Sequence, residues 1–399
     1  MELTVPGQEI EGRIMRFQKL LSEAQVDAAI VIQNADLFYF SGTVQRGYLI
    51  VPASGEPVLA ATGPIERIRH ESPLKNFHPI SGMPELVSLA AQTLGELKGL
   101  TLGVEEDVIP VSLYKRLKSS FSESRLKDIS GLIRTLRMIK SPYEISLIKD
   151  SAQIFSQVMD QLPEILKPGI TEVALETELI RIGRRWSHFG PLRVRAFNQE
   201  VYYGHVISGP RAAEPSYLMS PTGGLGSCPA FGQGSSFYPI EPHTPIIIDL
   251  CFGIQGYLSD QTRTASIGHL PPRLEKGYEA LLEIKAKIVE MLRPGTISST
   301  IYEKALELAK ESRLSQNFMG YGVTKANFVG HGIGLEIDEW PVIGKGFSTP
   351  LAPGMVIALE PKLTFPGVGV IGLEDNYLIT EDSPEKLNPL GDKIIVVQS

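Results

Sequence analysis

Two aspartates in the C-terminal half occupy mirrored places around a Gly-rich turn. Asp249 and Asp260 lie in the segment 245–268, PIIIDLCFGIQGYLSDQTRTASIG, and are equidistant from a turn centred between Ile254 and Gln255. In a regular hairpin with that centre they face each other, with Cβ atoms roughly 5 Å apart. Two carboxylates at that distance repel by about 3 kcal/mol at an effective dielectric of about 20. The pattern predicts a positive group between them, and a metal ion is the simplest candidate.

A second pair of carboxylates repeats this arrangement, and a histidine lies between the two pairs in the chain. Glu360 and Glu374 are symmetric about Gly367 in EPKLTFPGVGVIGLE. His331 stands in FVGHGIGLEIDEWP, where the glycines on either side let the backbone approach closely and leave the imidazole unobstructed. Histidine is the commonest metal ligand in proteins. Each of these residues alone is more often structural, and it is their combination that predicts a site.

The charges of these five side chains set an expected number of ions. Four carboxylates and one neutral imidazole carry about −4, which two divalent cations neutralise. Oxygen ligands with one nitrogen suit manganese or cobalt, with zinc or iron as alternatives. Paired ions roughly 3.5–4 Å apart can share a hydroxide and polarise a carbonyl. The predicted chemistry is therefore hydrolysis with two divalent metal ions as cofactor.

The N-terminal third shows the elements of an α/β domain of about 130 residues. Apolar positions at helical spacing predict a helix over 10–25. Short apolar runs that end at turns predict strands at 26–32, 47–52 and 57–61, and a strand end within 97–107. This alternation is typical of a sheet covered by helices.

A helical connector follows, and we place the domain boundary inside it. Residues 130–167 have a helical period, and Ser141 followed by Pro142 and Glu144 has the form of a capping box. The predicted domains are 1–138 and 139–399. Further helices are predicted over 171–186, 272–293 and 298–314, and a long Gly/Ser/Pro-rich binding loop or lid over 216–244.

Composition limits the class of protein. The formal net charge is −7 without a Lys/Arg-rich run, which argues against nucleic acid as a partner. The two cysteines, Cys228 and Cys251, exclude a disulfide framework. A secretion signal and an apolar stretch long enough to span a membrane are both absent from the sequence. We therefore expect a cytoplasmic protein that does not associate with membranes.

The segments that carry these residues resemble the pita-bread metallopeptidases: prolidase, Xaa-Pro aminopeptidase and methionine aminopeptidase, with creatinase as a relative. The similar segments are VDAAIVIQNADLFYFSG, LRMIKSPYEISLIKDSAQI, IIIDLCFGIQGYLSDQTRT, GHGIGLEIDEWP, IALEP and GLED. The resemblance implies an α+β protein. Its C-terminal pita-bread domain, a pseudo-symmetric set of curved strands, would follow a smaller ribonuclease H-like, creatinase N-terminal-like α/β domain. It also implies a homodimer, a small peptide or amide substrate, and a metal set of Asp249, Asp260, His331, Glu360 and Glu374.

Two positions depart from this family's pattern. The family's peptidases usually carry histidines where this chain has Asp338, in DEWP, and Ser216, in SGPRAAEPSY. Those histidines are thought to donate hydrogen bonds to the substrate, which an ionised carboxylate cannot do. His205 is the first candidate to replace them, ahead of His243 and His188.

The expected catalytic residues are His205, Asp338, Glu339 and Glu360. The leading expectation is a Xaa-Pro-type peptidase in which a metal-bridged water attacks an amide carbonyl. The alternative is a metal-binding member of the family without that activity: a hydrolase of another small amide, a lyase, or a non-catalytic binding protein.

Overall fold

The apolar runs of the N-terminal third form one sheet in the computed structural model, which describes residues 4–398. The chain divides into two units, Met1–Arg137 and Met138–Ser399. The helices of the first unit are α1 Gly7–Glu23, α2 Asn34–Ser41, α3 Ile65–Glu71, α4 Met83–Leu94, α5 Val111–Ser120 and α6 Ser130–Met138, the last of which ends across the division. Its strands are β1 Ala28–Val31, β2 Gly47–Pro52, β3 Val58–Ala61, β4 Phe77–Pro79, β5 Thr101–Val104 and β6 Arg125–Asp128.

These strands form a mixed six-stranded sheet in the order β4-β3-β2-β1-β5-β6. Strands β1, β2 and β3 pair antiparallel, whereas β5 pairs parallel with β1, and β6 with β5. Apolar side chains from the sheet and from α4 and α5 share one core. The predicted helix and strands are confirmed to within a few residues, while β4, β6, α2, α3, α4 and α5 were not predicted.

The second unit begins with the predicted capping box. Ser141 Oγ accepts from Glu144 N at 3.2 Å, and Glu144 Oε2 accepts from Ser141 N at 2.9 Å. The helices of this unit are α7 Pro142–Asp160, α8 Leu162–Ile165, α9 Glu172–Arg185, α10 Gly209–Ala212, α11 Pro272–Val289 and α12 Ser298–Glu311, with a 3-10 turn at Gly322–Thr324. Its strands are β7 Gly204–Ser208, β8 Ile246–Ile254, β9 Tyr257–Ile267, β10 Phe328–Gly332, β11 Glu339–Gly344, β12 Val356–Leu359, β13 Lys362–Phe365, β14 Gly369–Gly372, β15 Asp375–Leu378, β16 Glu385–Lys386 and β17 Ile395–Val397.

Two main sheets and one hairpin build this unit. The strand orders are β17-β9-β8-β7 and β11-β10-β12-β15-β16, and β13 pairs with β14 alone. Helices α11 and α12 pack their apolar faces with strands of the second sheet and of the hairpin into one core. Helices α7 and α9 lie beside β7, β8 and β9. The long segment 216–244 contains neither an α-helix nor a β-strand, as predicted.

No helix within residues 4–398 combines the length and apolar character needed to cross a bilayer.

Candidate metal centre

The β8–β9 hairpin carries both aspartates, but its register differs from the prediction. Asp249 pairs with Thr262, and Asp260 pairs with Cys251. The turn is Gln255-Gly256, with φ angles of 49° and 92°, which is the two-residue hairpin turn whose twist matches that of the strands. The expectation that the aspartates face each other directly is therefore wrong, because the turn centre lies one residue later than assumed. Alternation still places all four paired side chains on one face of the sheet.

The β13–β14 hairpin follows the predicted register. Phe365 pairs with Gly369, so that the turn is centred on Gly367. Glu360 precedes β13, and Glu374 follows β14. An isolated bridge pairs Glu374 with Thr262 of β9, and the Thr262 hydroxyl donates to Glu374 Oε2 at 2.9 Å. This bridge brings the second pair of carboxylates to the aspartates of β8 and β9.

His331 of β10 completes one end of the centre. Its Nδ1 donates to the carbonyl of Gly332 at 3.0 Å, which leaves Nε2 as the inward-facing nitrogen. That Nε2 lies 3.7 Å from Glu374 Oε1 and 3.8 Å from Glu360 Oε1. Ligand atoms of Asp260, His331 and Glu374 lie within 4.8 Å of one another. Among the described residues, Glu374 Oε1 is buried without a hydrogen-bond partner, which fits an oxygen placed to coordinate a cation.

Lys362, which the sequence analysis overlooked, occupies the other end. Its side chain is 1 % exposed. Its Nζ lies 3.0 Å from Asp249 Oδ2, 2.8 Å from Glu360 Oε2 and 3.3 Å from Glu374 Oε2. An ammonium has three hydrogens to donate, and three carboxylate oxygens receive them here. A signal was present in the sequence, because strand alternation puts Lys362 on the same face as Glu360.

The protonation of the carboxylates differs between the two ends. Burial would raise the pKa of Asp249, but the Lys362 ammonium reverses this and holds it below its ordinary value. The pKa of Asp260 is raised well above its ordinary value by burial and by the neighbouring Glu374 and Asp249 carboxylates. Burial raises the pKa of Glu374 to about 8, with Glu360 and Asp249 adding to the effect against Lys362. Negative charge is therefore less compensated near Asp260 than near Asp249.

His331 shows the same excess of negative charge. Burial lowers the pKa of His331, but the carboxylates of Asp338, Glu360 and Glu374 outweigh it and raise the pKa overall. A cation bound among these groups would take over the role of that proton, since metal binding and protonation compete for the same nitrogen.

The donor atoms fit one divalent ion well. Asp260, His331 and Glu374 offer two carboxylates and an imidazole, a donor set suited to manganese, cobalt, iron or zinc. A second ion does not fit the arrangement described, because Lys362 Nζ already takes the facing oxygens of Asp249, Glu360 and Glu374. The expectation of two ions did not include this positive charge, and the number of ions stays a prediction.

His205 of β7 and Asp338, in the turn before β11, both line the cavity at the centre. His205 of β7 pairs with Asp249 of β8, and its Nε2 lies 3.7 Å from Asp249 Oδ2 and 3.1 Å from Thr222 Oγ1. Burial lowers the pKa of His205, and Lys362 adds to this against the opposing Asp249 carboxylate, which favours the neutral ring. Asp338 has a φ of 62° and lies with its Oδ1 3.5 Å from His331 Nε2. Its side chain is 52 % exposed.

The other sequence candidates lie away from the cavity. The Glu339 carboxylate forms a buried ion pair with Lys140 at 3.0 Å and accepts from Glu336 N at 3.1 Å. Ser216 Oγ accepts from a backbone amide of its own loop. His188 is buried with Nδ1 accepting from Gly253 N at 3.0 Å, and His243 is exposed.

A small cavity of about 110 Å³ opens onto the centre. Its polar lining includes Gln233 and Ser220 beside the metal-centre residues. Its apolar lining comes from loops and strand ends: Val201, Leu218, Met219, Phe328 and Ile337. Leu218, Met219, Ser220 and Gln233 belong to the segment 216–244, so this loop shapes the cavity. The space suits one small group next to the carboxylates rather than a folded protein.

Comparison with known proteins relates the sequence of this chain to peptidases. Residues 146–381 match the model of metallopeptidase family M24, and residues 13–139 match that of the creatinase/prolidase N-terminal domain. A Xaa-Pro dipeptidase of Pyrococcus furiosus is 28% identical over 384 residues, which cover 95% of this chain and 98% of the relative.

Solved structures agree on the fold. A prolidase from Pyrococcus furiosus has a TM-score of 0.77 at 27% identity, covering 94% of this chain and 99% of the other. An X-Pro aminopeptidase from Thermotoga maritima has a TM-score of 0.80 at 23% identity, covering 96% and 99%. At that identity the second likeness is evidence of fold alone. The expected α+β class, with a creatinase-like N-terminal domain before a pita-bread domain, is confirmed.

Proposed function

Since the chain belongs to metallopeptidase family M24 and is a peptidase-type hydrolase, we propose that it hydrolyses a small peptide or amide with a divalent ion held by Asp260, His331 and Glu374. The observation that carries this proposal is Glu374 Oε1, which has no hydrogen-bond partner within residues 4–398 and lies 3.7 Å from His331 Nε2 in a buried group beside a cavity. We propose domains of 1–138 and 139–399 for this enzyme.

The ion, when bound, supplies Lewis acidity and lowers the pKa of a coordinated water. The remaining work falls to protein groups. The Gly332 carbonyl fixes the His331 ring so that Nε2 points inward. Glu360, whose Oε1 lies 3.8 Å from His331 Nε2, is placed to accept a proton from the attacking water and pass it to the leaving amine. The products are then a carboxylic acid and an amine.

The environment of His205 supports the proposal that this residue donates a hydrogen bond to the substrate. Its lowered pKa favours the neutral ring, its Nδ1 has no partner among the described residues, and it lines the cavity beside Asp249. A neutral imidazole carries one N–H, which could donate to a substrate oxygen in place of the two family histidines. Glu339, held by Lys140, acts in this proposal as a positioning residue for the β10–β11 corner.

Two substrate classes remain open, and a specific feature favours each. A Xaa-Pro bond is favoured by the relative in Pyrococcus furiosus, whose name states that activity. A different small amide is favoured by Asp338, because a carboxylate near the cavity mouth accepts hydrogen bonds and attracts cationic groups rather than donating. Manganese or cobalt as native ion, the homodimer and the cytoplasmic location stay predictions.

The test is a substrate panel on protein that has been stripped of metal and then loaded with manganese or cobalt. We expect hydrolysis of at least one of three groups: dipeptides with a C-terminal proline, longer Xaa-Pro peptides, and non-peptide amides. Asp260→Asn should abolish turnover, whereas His243→Ala, a change at an exposed histidine away from the cavity, should leave it unchanged. Absence of hydrolysis across the panel with either metal would contradict the proposal.

A further inference from the structure

The arrangement of charges around Lys362 limits the number of divalent metal ions that the centre can bind. Each of the two glutamates of the centre divides its oxygens between two neighbours. Glu360 offers Oε2 to Lys362 Nζ at 2.8 Å and presents Oε1 towards His331 Nε2. Glu374 does the same, with Oε2 3.3 Å from Nζ. The centre therefore has two cation positions that share these carboxylates, one of which already holds a protein cation.

We infer that the Lys362 ammonium is a built-in replacement for one divalent ion, so that the enzyme binds a single ion, at Asp260, His331 and Glu374. This inference rests on the proposed function and adds to it the number of ions and the residue that sets that number. Asp249, paired with Lys362 at 3.0 Å, is then a partner of the ammonium rather than a metal ligand.

The hairpin is shaped to hold the lysine in this position. Lys362 pairs with Gly372 across β13 and β14. A Cβ atom at Gly372 would lie 2.4 Å from Lys362 Cγ, so only glycine leaves the side chain its present path. The ammonium is buried, and all three of its donors have carboxylate acceptors, which removes the cost of an unpaired buried charge.

The substitution of an ammonium for an ion changes the chemistry available at that end. An ammonium neutralises carboxylates, but it cannot coordinate a water molecule or a carbonyl oxygen. With its three hydrogens directed at Asp249, Glu360 and Glu374, Lys362 also has none left to donate to a substrate. Activation of water is thereby confined to the His331 end.

Metal stoichiometry tests this inference. Wild-type protein, Lys362→Met and the control Lys276→Met, a change on the exposed side of α11, are stripped with a chelator and titrated with cobalt(II). Bound ions per chain are then measured by calorimetry and by elemental analysis after gel filtration. We expect one ion in the wild type and in the control, and two in Lys362→Met, because that variant frees the oxygens of Asp249, Glu360 and Glu374.

Manganese(II) provides a second readout on wild-type protein alone, which decides the matter even if Lys362→Met does not fold. The electron paramagnetic resonance spectrum should show isolated ions without exchange coupling at every loading. Two ions per wild-type chain, or coupled manganese, would overturn the inference while leaving the proposed function intact. A folded Lys362→Met that still binds one ion would also overturn it, and no bound ion in any protein would remove the proposed function itself.

Discussion

The two ends of the metal centre are built from the same kinds of acidic residue but are balanced in different ways. At the Asp249 end, the ammonium of Lys362 contacts three carboxylates at 2.8–3.3 Å. At the His331 end, the nearest carboxylate oxygens are 3.5–3.8 Å from Nε2, and Glu374 Oε1 has no hydrogen-bond partner among residues 4–398. At one end the carboxylates are paired with a cation of the protein itself, and at the other end they form a group that could hold a metal ion.

If the enzyme binds a single ion, as inferred above, the number of carboxylates does not set the number of ions. A buried carboxylate needs a compensating positive charge, but a lysine supplies one as well as a metal does. What distinguishes the two is the capacity to coordinate a water molecule and lower its pKa, which a metal ion has and an ammonium lacks. A metallohydrolase site can thus keep the acidic residues of a two-ion centre while it places its chemistry at one end.

Removal of the imidazole should have the largest effect on function. In His331→Ala, the His331 end of the centre loses its nitrogen ligand. Because the transition state then loses several kcal/mol of Lewis-acid stabilisation, we expect kcat/KM to fall by at least about 10³-fold. The measurement is the hydrolysis rate on the substrate identified by the panel, together with the metal content. A variant that retained full metal content would show that His331 is not a ligand and would remove the contrast between the ends.

Removal of the ammonium should instead act mainly on stability. Without metal, Lys362→Met leaves the buried carboxylates of Asp249, Glu360 and Glu374 without their cation, and we expect a loss of about 3 kcal/mol in the free energy of unfolding. Urea unfolding with and without cobalt measures it, and added metal should restore more stability to the variant than to the wild type. Equal metal responses in both would contradict this account, with Lys276→Met as the control for loss of a lysine.

The local parts of the centre could be predicted from sequence to different degrees. The register of β13–β14 followed from the symmetry of Glu360 and Glu374 about Gly367, because Gly367 supplies the turn. The register of β8–β9 did not, since the turn uses Gln255, a non-glycine residue with a φ of 49°. Symmetry of acidic residues about a presumed centre is weaker evidence than the turn residues themselves.

Other parts needed the tertiary structure. Lys362 was visible two residues after Glu360, but its role depends on Asp249, which reaches it only through the pairing of Thr262 with Glu374 across the chain. A β-bridge between residues so far apart in the chain leaves no pattern in the local sequence that could predict it. The ion pair between Lys140 and Glu339 also joins residues that are far apart in the chain. The sequence therefore gives no sign that Lys140 holds Glu339, which is why Glu339 stands among the expected catalytic residues.

Substitution of Asp338 tests whether this residue belongs to the His331 end, and we expect a small effect on metal affinity. Its carboxylate lies 3.5 Å from His331 Nε2, but the side chain is 52 % exposed, so solvent screens its charge. Asp338→Asn should therefore change the dissociation constant for cobalt by less than about fivefold. Isothermal titration calorimetry measures this, with Glu374→Gln as the buried comparison, which should lose far more affinity. A hundredfold loss of cobalt affinity in Asp338→Asn would show that Asp338 is a metal ligand and belongs to the His331 end of the centre.

His188 contrasts with Lys362 and His331, because it is a buried basic group whose pKa is lowered, not raised. Burial lowers the pKa of His188 to about 4, and its Nδ1 accepts from Gly253 N. The unfolded chain takes up a proton near pH 6.5 and the folded chain does not, so stability should fall as the pH drops from about 6.5 towards 4. One such group contributes at most about 1.4 kcal/mol per pH unit. Urea midpoints across this range measure the slope, which His188→Gln should reduce, since glutamine can accept the same hydrogen bond without titrating. An unchanged slope in the variant would assign the acid sensitivity to other groups.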